Sequence, residues 1–298
     1  MDKWRNFSVN HPFIILFFIT LLCLILSIID IFILRIDELW GEIIISKAIG
    51  FLIVILYLWS VQKSISAIGF HKTMIYQALF IGMIVSIIMV AAYFTAGFLV
   101  LTISNVNAAI NFSPTDPKAG IGGGILFGLW LVFGNVINCC MEESLFRGLM
   151  TRKFLIKMNF WKANFLQAIL FGAWHLRWPV KYYITGQMTL MQALLNAILI
   201  NFLSPFIVGL VWGYMYYKTN SLWASWISHF FWNSTLNLFI FYIPGETNQG
   251  ILNIALIIAG AISILSALIL IILIKYLANR WNMPKLKPWD IQLSGQNI

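Results

Sequence analysis

Residues 138–147 read Asn138-Cys139-Cys140-Met141-Glu142-Glu143-Ser144-Leu145-Phe146-Arg147, inside an apolar run from about 124 to 151. Ionisable side chains at bilayer depth are costly, so in an apolar segment they mark a functional site by default. The composition shows what kind of segment this is. Of 298 residues, 61% are hydrophobic and only 10% charged, with a mean hydropathy of +0.88. A soluble domain has about a quarter of its residues charged, so an ordinary water-soluble enzyme is excluded.

Outward from this run, the chain divides into apolar stretches near the roughly 20 residues that cross a bilayer. They lie at about 12–34, 43–61, 75–102, 124–151, 162–176, 188–217, 221–243 and 251–275. The expected fold class is all-α, a polytopic membrane helix bundle of about eight transmembrane helices. The first run follows Lys3 and Arg5. It is longer than the roughly 7–15 residues of a cleavable signal core, and no small-x-small site follows it, so it reads as an uncleaved span. The 188–217 stretch contains Pro205 and reads as an interfacial helix leading into a span, or as a kinked span.

Cytoplasmic loops of membrane proteins carry the excess of Lys and Arg. With the N-terminus inside, fourteen of these residues fall on the cytoplasmic side. The other side receives only Arg35, Lys47, Lys118, Arg177 and Lys181, with the acidic Asp37, Glu38 and Glu42. Both termini are therefore expected in the cytoplasm. The net charge of +9 is spread through loops and tails, without the basic stripe of a nucleic-acid binder. Cys23, Cys139 and Cys140 all lie in apolar segments and indicate neither a disulfide framework nor a cysteine metal site. The Gly120–Gly124 stretch lacks the lysine and hydroxyl of a phosphate loop and reads as an external turn. Gly209 and Gly213 read as a close helix contact, and Trp174, Trp178 and Trp223 as interfacial anchors. His11 and His71 are given no role.

Glu143 and Arg147 are four apart, share a helix face and can pair, whereas Glu142 is rotated by about 100° and needs another partner or water. The fifth stretch ends Phe171-Gly172-Ala173-Trp174-His175, and the seventh contains His229-Phe230-Phe231-Trp232-Asn233. Both Phe171/His175 and His229/Asn233 have the one-turn spacing that puts two side chains on one face. Counted at about 1.5 Å per residue from the basic boundary residues, Glu142 lies about 15 Å deep, His175 about 20 Å and His229 about 12 Å. Antiparallel helices would bring them into one polar cavity open to the cytoplasm. A single buried histidine is more often packing, but three polar groups at matching depth point to a site. Glu142 could take a proton from water. The histidines could position that water, bind a metal or donate to an oxyanion, with Asn233 as a second donor. Those parts suit hydrolysis of a peptide bond.

The order Glu142-Glu143-x-x-x-Arg147, Phe171-x-x-x-His175, His229-x-x-x-Asn233, with Phe146-Arg147-Gly148 after the glutamates, resembles the three-motif signature of the CPBP family. That family comprises the type II CaaX prenyl endopeptidases and the bacteriocin-processing or Abi proteins. The resemblance implies an intramembrane endopeptidase in which Glu142 is general base for a water also held by His175. It further implies that His229 and Asn233 stabilise the oxyanion, while Glu143, Arg147 and Phe171 support the site. Members are described both as metalloproteases and as metal-independent glutamate peptidases, so one zinc-like divalent ion on Glu142, His175 and His229 is an open alternative. The implied organisation is a three-span N-terminal region (1–119) that determines substrate or partner, a catalytic core (120–243), and a last span with a basic tail (244–298). Expected partners are a peptide or membrane-protein substrate, the lipid bilayer and a regulatory membrane partner, with no nucleic acid. Bacteriocin processing or immunity fits better than a prenylated substrate for a bacterial chain. Two other classes use the same residues: a non-catalytic immunity or scaffold protein binding a partner through the cavity, and a proton-coupled transporter, against which the lack of an internal repeat counts.

Overall fold

In lipid, a run of Leu, Ile and Phe satisfies its backbone polar groups internally only as a helix or in a closed barrel, and this chain folds into helices. The computed structural model describes residues 2–41, 43–116, 120–243 and 249–289; Glu42, Lys118 and the tail from 290 lie outside the described residues. The helices in chain order are α1 (Asp2–Asn10), α2 (Pro12–Leu34), α3 (Ile36–Trp40), α4 (Ile44–Ser60), α5 (Ile75–Ile103), α6 (Ile125–Phe154), α7 (Phe160–Trp174), α8 (Arg177–Ile184), α9 (Leu190–Thr219), α10 (Leu222–Leu238) and α11 (Gln249–Arg280).

Five of them, α2, α5, α6, α9 and the Gly250–Arg280 part of α11, are long and apolar enough to cross a membrane, and the chain is an integral membrane protein. The other three expected spans are shorter helices. α4 and α10 have 17 residues and α7 has 15, giving lengths of about 22–26 Å against a hydrocarbon core of about 30 Å.

Helix is not the whole content. β1 (Ala109–Phe112) pairs antiparallel with β4 (Phe239–Tyr242), with Ala109 opposite Tyr242, and β2 (Thr115–Asp116) pairs with β3 (Ile121–Gly122). The stretch expected to be helical to 243 therefore ends its helix at Leu238. Phe239-Ile240-Phe241-Tyr242 is a run of aromatic and β-branched residues that fits a pleated strand better than another helical turn. The glycine-rich segment supplies β3 and the extended Gly124 before α6. α9 is one continuous helix, and the residues just before Pro205, Asn196–Leu203, form a π-helical stretch. Proline lacks an N–H and crowds the preceding turn, and a widened turn is one way a helix absorbs that defect.

α6 is flanked by α4 and α10, α5 lies along α10 and α11, and α7 packs on α9. Two close approaches need glycine. A side chain at Gly82 would meet the Ala224 carbonyl at 2.0 Å, and one at Gly213 would meet Asn164 Oδ1 at 1.8 Å. Gln167 Nε2 completes the α7–α9 seam by donating to the Gly209 carbonyl at 2.9 Å.

The two ends of the bundle are tied differently. At the end where α2 begins, Lys153 Nζ donates to the Ser8 carbonyl at 2.8 Å, and Arg152 reaches Tyr216 Oη at 2.9 Å and the Lys287 carbonyl at 3.0 Å. At the opposite end Lys181 on α8 pairs with buried Asp37, and with Glu38 at 2.9 Å. Arg35 Nε also donates to Glu38 at 2.8 Å, and that bond holds the Glu38 carboxyl below its ordinary pKa. Removing one member of a buried pair leaves an uncompensated charge and costs about 3–5 kcal/mol. Lys181→Met is therefore expected to lower the thermal midpoint of the detergent-solubilised protein, and adding Asp37→Asn to recover most of the loss; a single mutant as stable as wild type would contradict the pairing.

Candidate active site

Glu142 ends the α-helical part of α6, and from Glu143 to Met150 the helix is π-helical. Widened turns of this kind recur at functional sites, and no residue type in the sequence announces this one. Within it, Glu143 and Arg147 form the expected ion pair, at 3.1 Å and with neither side chain exposed. The Arg147 guanidinium carbon also lies 3.8 Å from the centre of the Phe171 ring and 5.2 Å from that of Trp212, a cation on two aromatic faces.

Glu143 is also the partner of His229. The ring Nδ1–H of His229 donates to Glu143 Oε1 at 2.9 Å, and the imidazole stacks on Trp212 with ring centres 4.3 Å apart. Its Nε2 lies 3.8 Å from Glu142 Oε2. Glu142 is held on its other oxygen, where Oε1 accepts Trp174 Nε1–H at 3.0 Å and the ammonium of Lys47. Oε2 is buried and has no hydrogen-bond partner among the described residues. A buried acceptor without a donor is costly, and water is its usual partner. His175 Nδ1–H donates to the Phe171 carbonyl at 2.8 Å, which leaves Nε2 of the neutral ring as its acceptor nitrogen.

Glu142, His175, His229 and Asn233 line one cavity of about 210 Å³. It has room for water and a peptide-bond-sized group, and is smaller than the roughly 300–1,000 Å³ pockets that engulf drug-sized ligands. Glu143 and Arg147 stand behind it, fixing His229 from outside the wall.

The rest of the cavity's lining lies toward one end of the bundle. From Glu142 the cavity runs past His175 and Asn233 toward Ile43, Arg177, Trp178 and Leu236. That is where α4 and α6 begin and α7 and α10 end, opposite the start of α2.

Other sequence readings also change. Trp174 and Trp178, read as interfacial anchors, are buried, and Trp174 bonds to Glu142. Lys47, Arg177 and Lys181, counted as loop charges, are buried; so are Arg147, Arg152 and Lys153 on the other side. The available signal for Lys47 was its place as the single charged residue of the otherwise largely apolar stretch 43–59.

A divalent ion on Glu142, His175 and His229 does not fit this arrangement. Among the described residues no group of three or more His, Cys, Asp or Glu side chains could hold a metal.

Residues 124–235 match the family model described as Type II CAAX prenyl endopeptidase Rce1-like. Over this stretch the chain is similar to the Rce1-like family. The Rce1-like segment contains every residue from Glu142 to Asn233 named above, whereas Lys47 lies outside it. The family is one of proteases. No curated protein and no solved structure matches the chain.

Proposed function

We propose that the chain is an intramembrane endopeptidase that hydrolyses a peptide bond of a membrane-associated or peptide substrate at this cavity. The observation that carries the reading is the unpartnered, buried Glu142 Oε2 facing His229 Nε2 across 3.8 Å. A water bonded to Oε2 from the side of the cavity lined by His175 would give a proton to Oε2 as its oxygen attacks the scissile carbonyl. Glu142 would then return that proton to the departing amine nitrogen, so the carboxylate is regenerated and one water is consumed per bond cleaved.

Charge on the tetrahedral oxygen needs donors positioned before it develops. Asn233 supplies an amide N–H from the cavity wall. His229 has its Nδ1–H committed to Glu143, so a second donor at Nε2 requires the doubly protonated ring, whose charge the Glu143 carboxylate balances. Asn233→Ala is expected to lower kcat about 10²–10³-fold with little change in KM, measured on a peptide spanning the cleaved bond. An unchanged kcat would remove Asn233 from the oxyanion site.

The charge asymmetry between loops supports cytoplasmic termini, and with them the cavity would face the opposite leaflet. The segment 120–243 would then be the catalytic core, with the remainder governing access.

The test compares membrane-peptide termini by mass spectrometry in cells expressing wild type or Glu142→Gln at equal levels. Termini found only with wild type support the peptidase and name its substrate. Identical termini, with the cellular phenotype kept by the mutant, would replace it with a non-catalytic binding or immunity role for the same cavity.

A further inference from the structure

We infer that Lys47, on a helix outside the segment that the family model matches, is a positioning residue for this reaction that fixes the rotation of the Glu142 carboxylate, with one oxygen on its donors and the other facing His229. The inference rests on the peptidase reading of the site. Lys47 stands in the first turn of α4 with 3% of its surface exposed. Its ammonium and the Trp174 indole N–H both bond Oε1 of Glu142, and Nζ lies 5.3 Å from the centre of the Trp174 ring.

Both protein donors therefore sit on one carboxylate oxygen. The terminal torsion of a glutamate is broad and rotates with little resistance, and a partial rotation here would swing one oxygen off its donors and the other off the line to His229. A charge-assisted bond is roughly twice as strong as a neutral one, so Lys47 and Trp174 together pin Oε1 and leave Oε2 aimed at the water.

The lysine is itself held. Asp30, buried at the end of α2, accepts the backbone N–H of Ser46 at 2.8 Å, and Ser46 Oγ donates to the Ile43 carbonyl at 3.2 Å. These bonds fix the turn from which Lys47 extends. A buried ammonium in an apolar helix is costly, and bonding the proposed catalytic carboxylate is the return for it.

The experiment uses purified full-length protein in detergent and a quenched fluorescent peptide spanning the bond whose new terminus appears only in wild-type cells. Lys47→Met is expected to lower kcat about 10²-fold, the scale of a misplaced catalytic group, with KM within about twofold of wild type. Lys47→Arg, which keeps a charged donor, is expected to recover activity to within about tenfold of wild type. If Lys47→Met does not fold, Lys47→Gln, which keeps a neutral N–H, is measured in its place and should fall between the two. Wild-type kcat per folded molecule in Lys47→Met, or in Lys47→Gln where that replaces it, with only a lowered thermal midpoint, would overturn the inference. The peptidase reading would then still stand if Glu142→Gln is inactive. Absence of wild-type cleavage would overturn both.

Discussion

Glu142→Gln is expected to abolish peptide cleavage while leaving the protein folded in the membrane. The amide keeps the shape of the carboxylate and its carbonyl oxygen can still accept from Trp174 and Lys47, the two donors that bond Oε1. What disappears is the lone pair able to take a proton from water. General-base catalysis typically contributes 10²–10⁴-fold, and among the described residues no second carboxylate lines the cavity to take over. Glu143, its sequence neighbour, is behind the cavity wall, engaged by His229 at 2.9 Å and Arg147 at 3.1 Å. The loss should therefore reach about 10⁴-fold, the upper end of that range, in a single-turnover assay on the purified protein. A rate within tenfold of wild type, with the thermal midpoint unchanged, would sink the general-base assignment.

The two glutamates show what a sequence reveals and what it hides. Their position in an apolar run, and the four-residue spacing from Glu143 to Arg147, were enough to expect Glu143 on Arg147 and Glu142 on some other partner or water. The structure gives that division, because helical spacing is a local rule that holds whatever packs outside. The identity of Glu142's partner was not local. Lys47 is 95 residues away in the chain and, read by composition, looked like a loop charge. Trp174 looked like a membrane anchor for the same reason, since tryptophan at the end of an apolar run is usually interfacial. Neither reading could include a contact made only when α4 and α7 pack beside α6.

Span length was legible only in part, and the reason bears on the site. The three helices too short to bridge the hydrocarbon core, α4, α7 and α10, carry Lys47, Trp174 and His175, and His229 and Asn233, or end beside them. Short helices end their apolar cover early and bring loops and polar residues below the membrane surface. Irregular backbone at that depth is tolerated where it lines a protein-enclosed or wet cavity, and a hydrolase needs water at its peptide bond. The shortness that weakens the count of eight spans thus suits a hydrolytic cavity.

Replacing Arg147 with Met separates the stability of this centre from its chemistry. Arg147 and Glu143 are wholly buried, so removing the guanidinium leaves a buried carboxylate with, among the described residues, His229 as its remaining ion-pair partner, at an expected cost of about 3–5 kcal/mol. The thermal midpoint in detergent should fall, and cleavage should fall with it, because the Phe171 and Trp212 rings lose the cation they enclose and the support of His229 loosens. Adding Glu143→Gln removes the unpaired charge, and replacing a buried ion pair with neutral groups is often close to neutral in stability. The double mutant should therefore regain most of the lost stability. Activity should not return with it, since the His229 Nδ1–H would face an amide in place of the carboxylate that accepts it. If stability and cleavage recover together, Glu143 and Arg147 serve the fold alone; if stability recovers and cleavage does not, they hold the histidine in the state that the reaction requires.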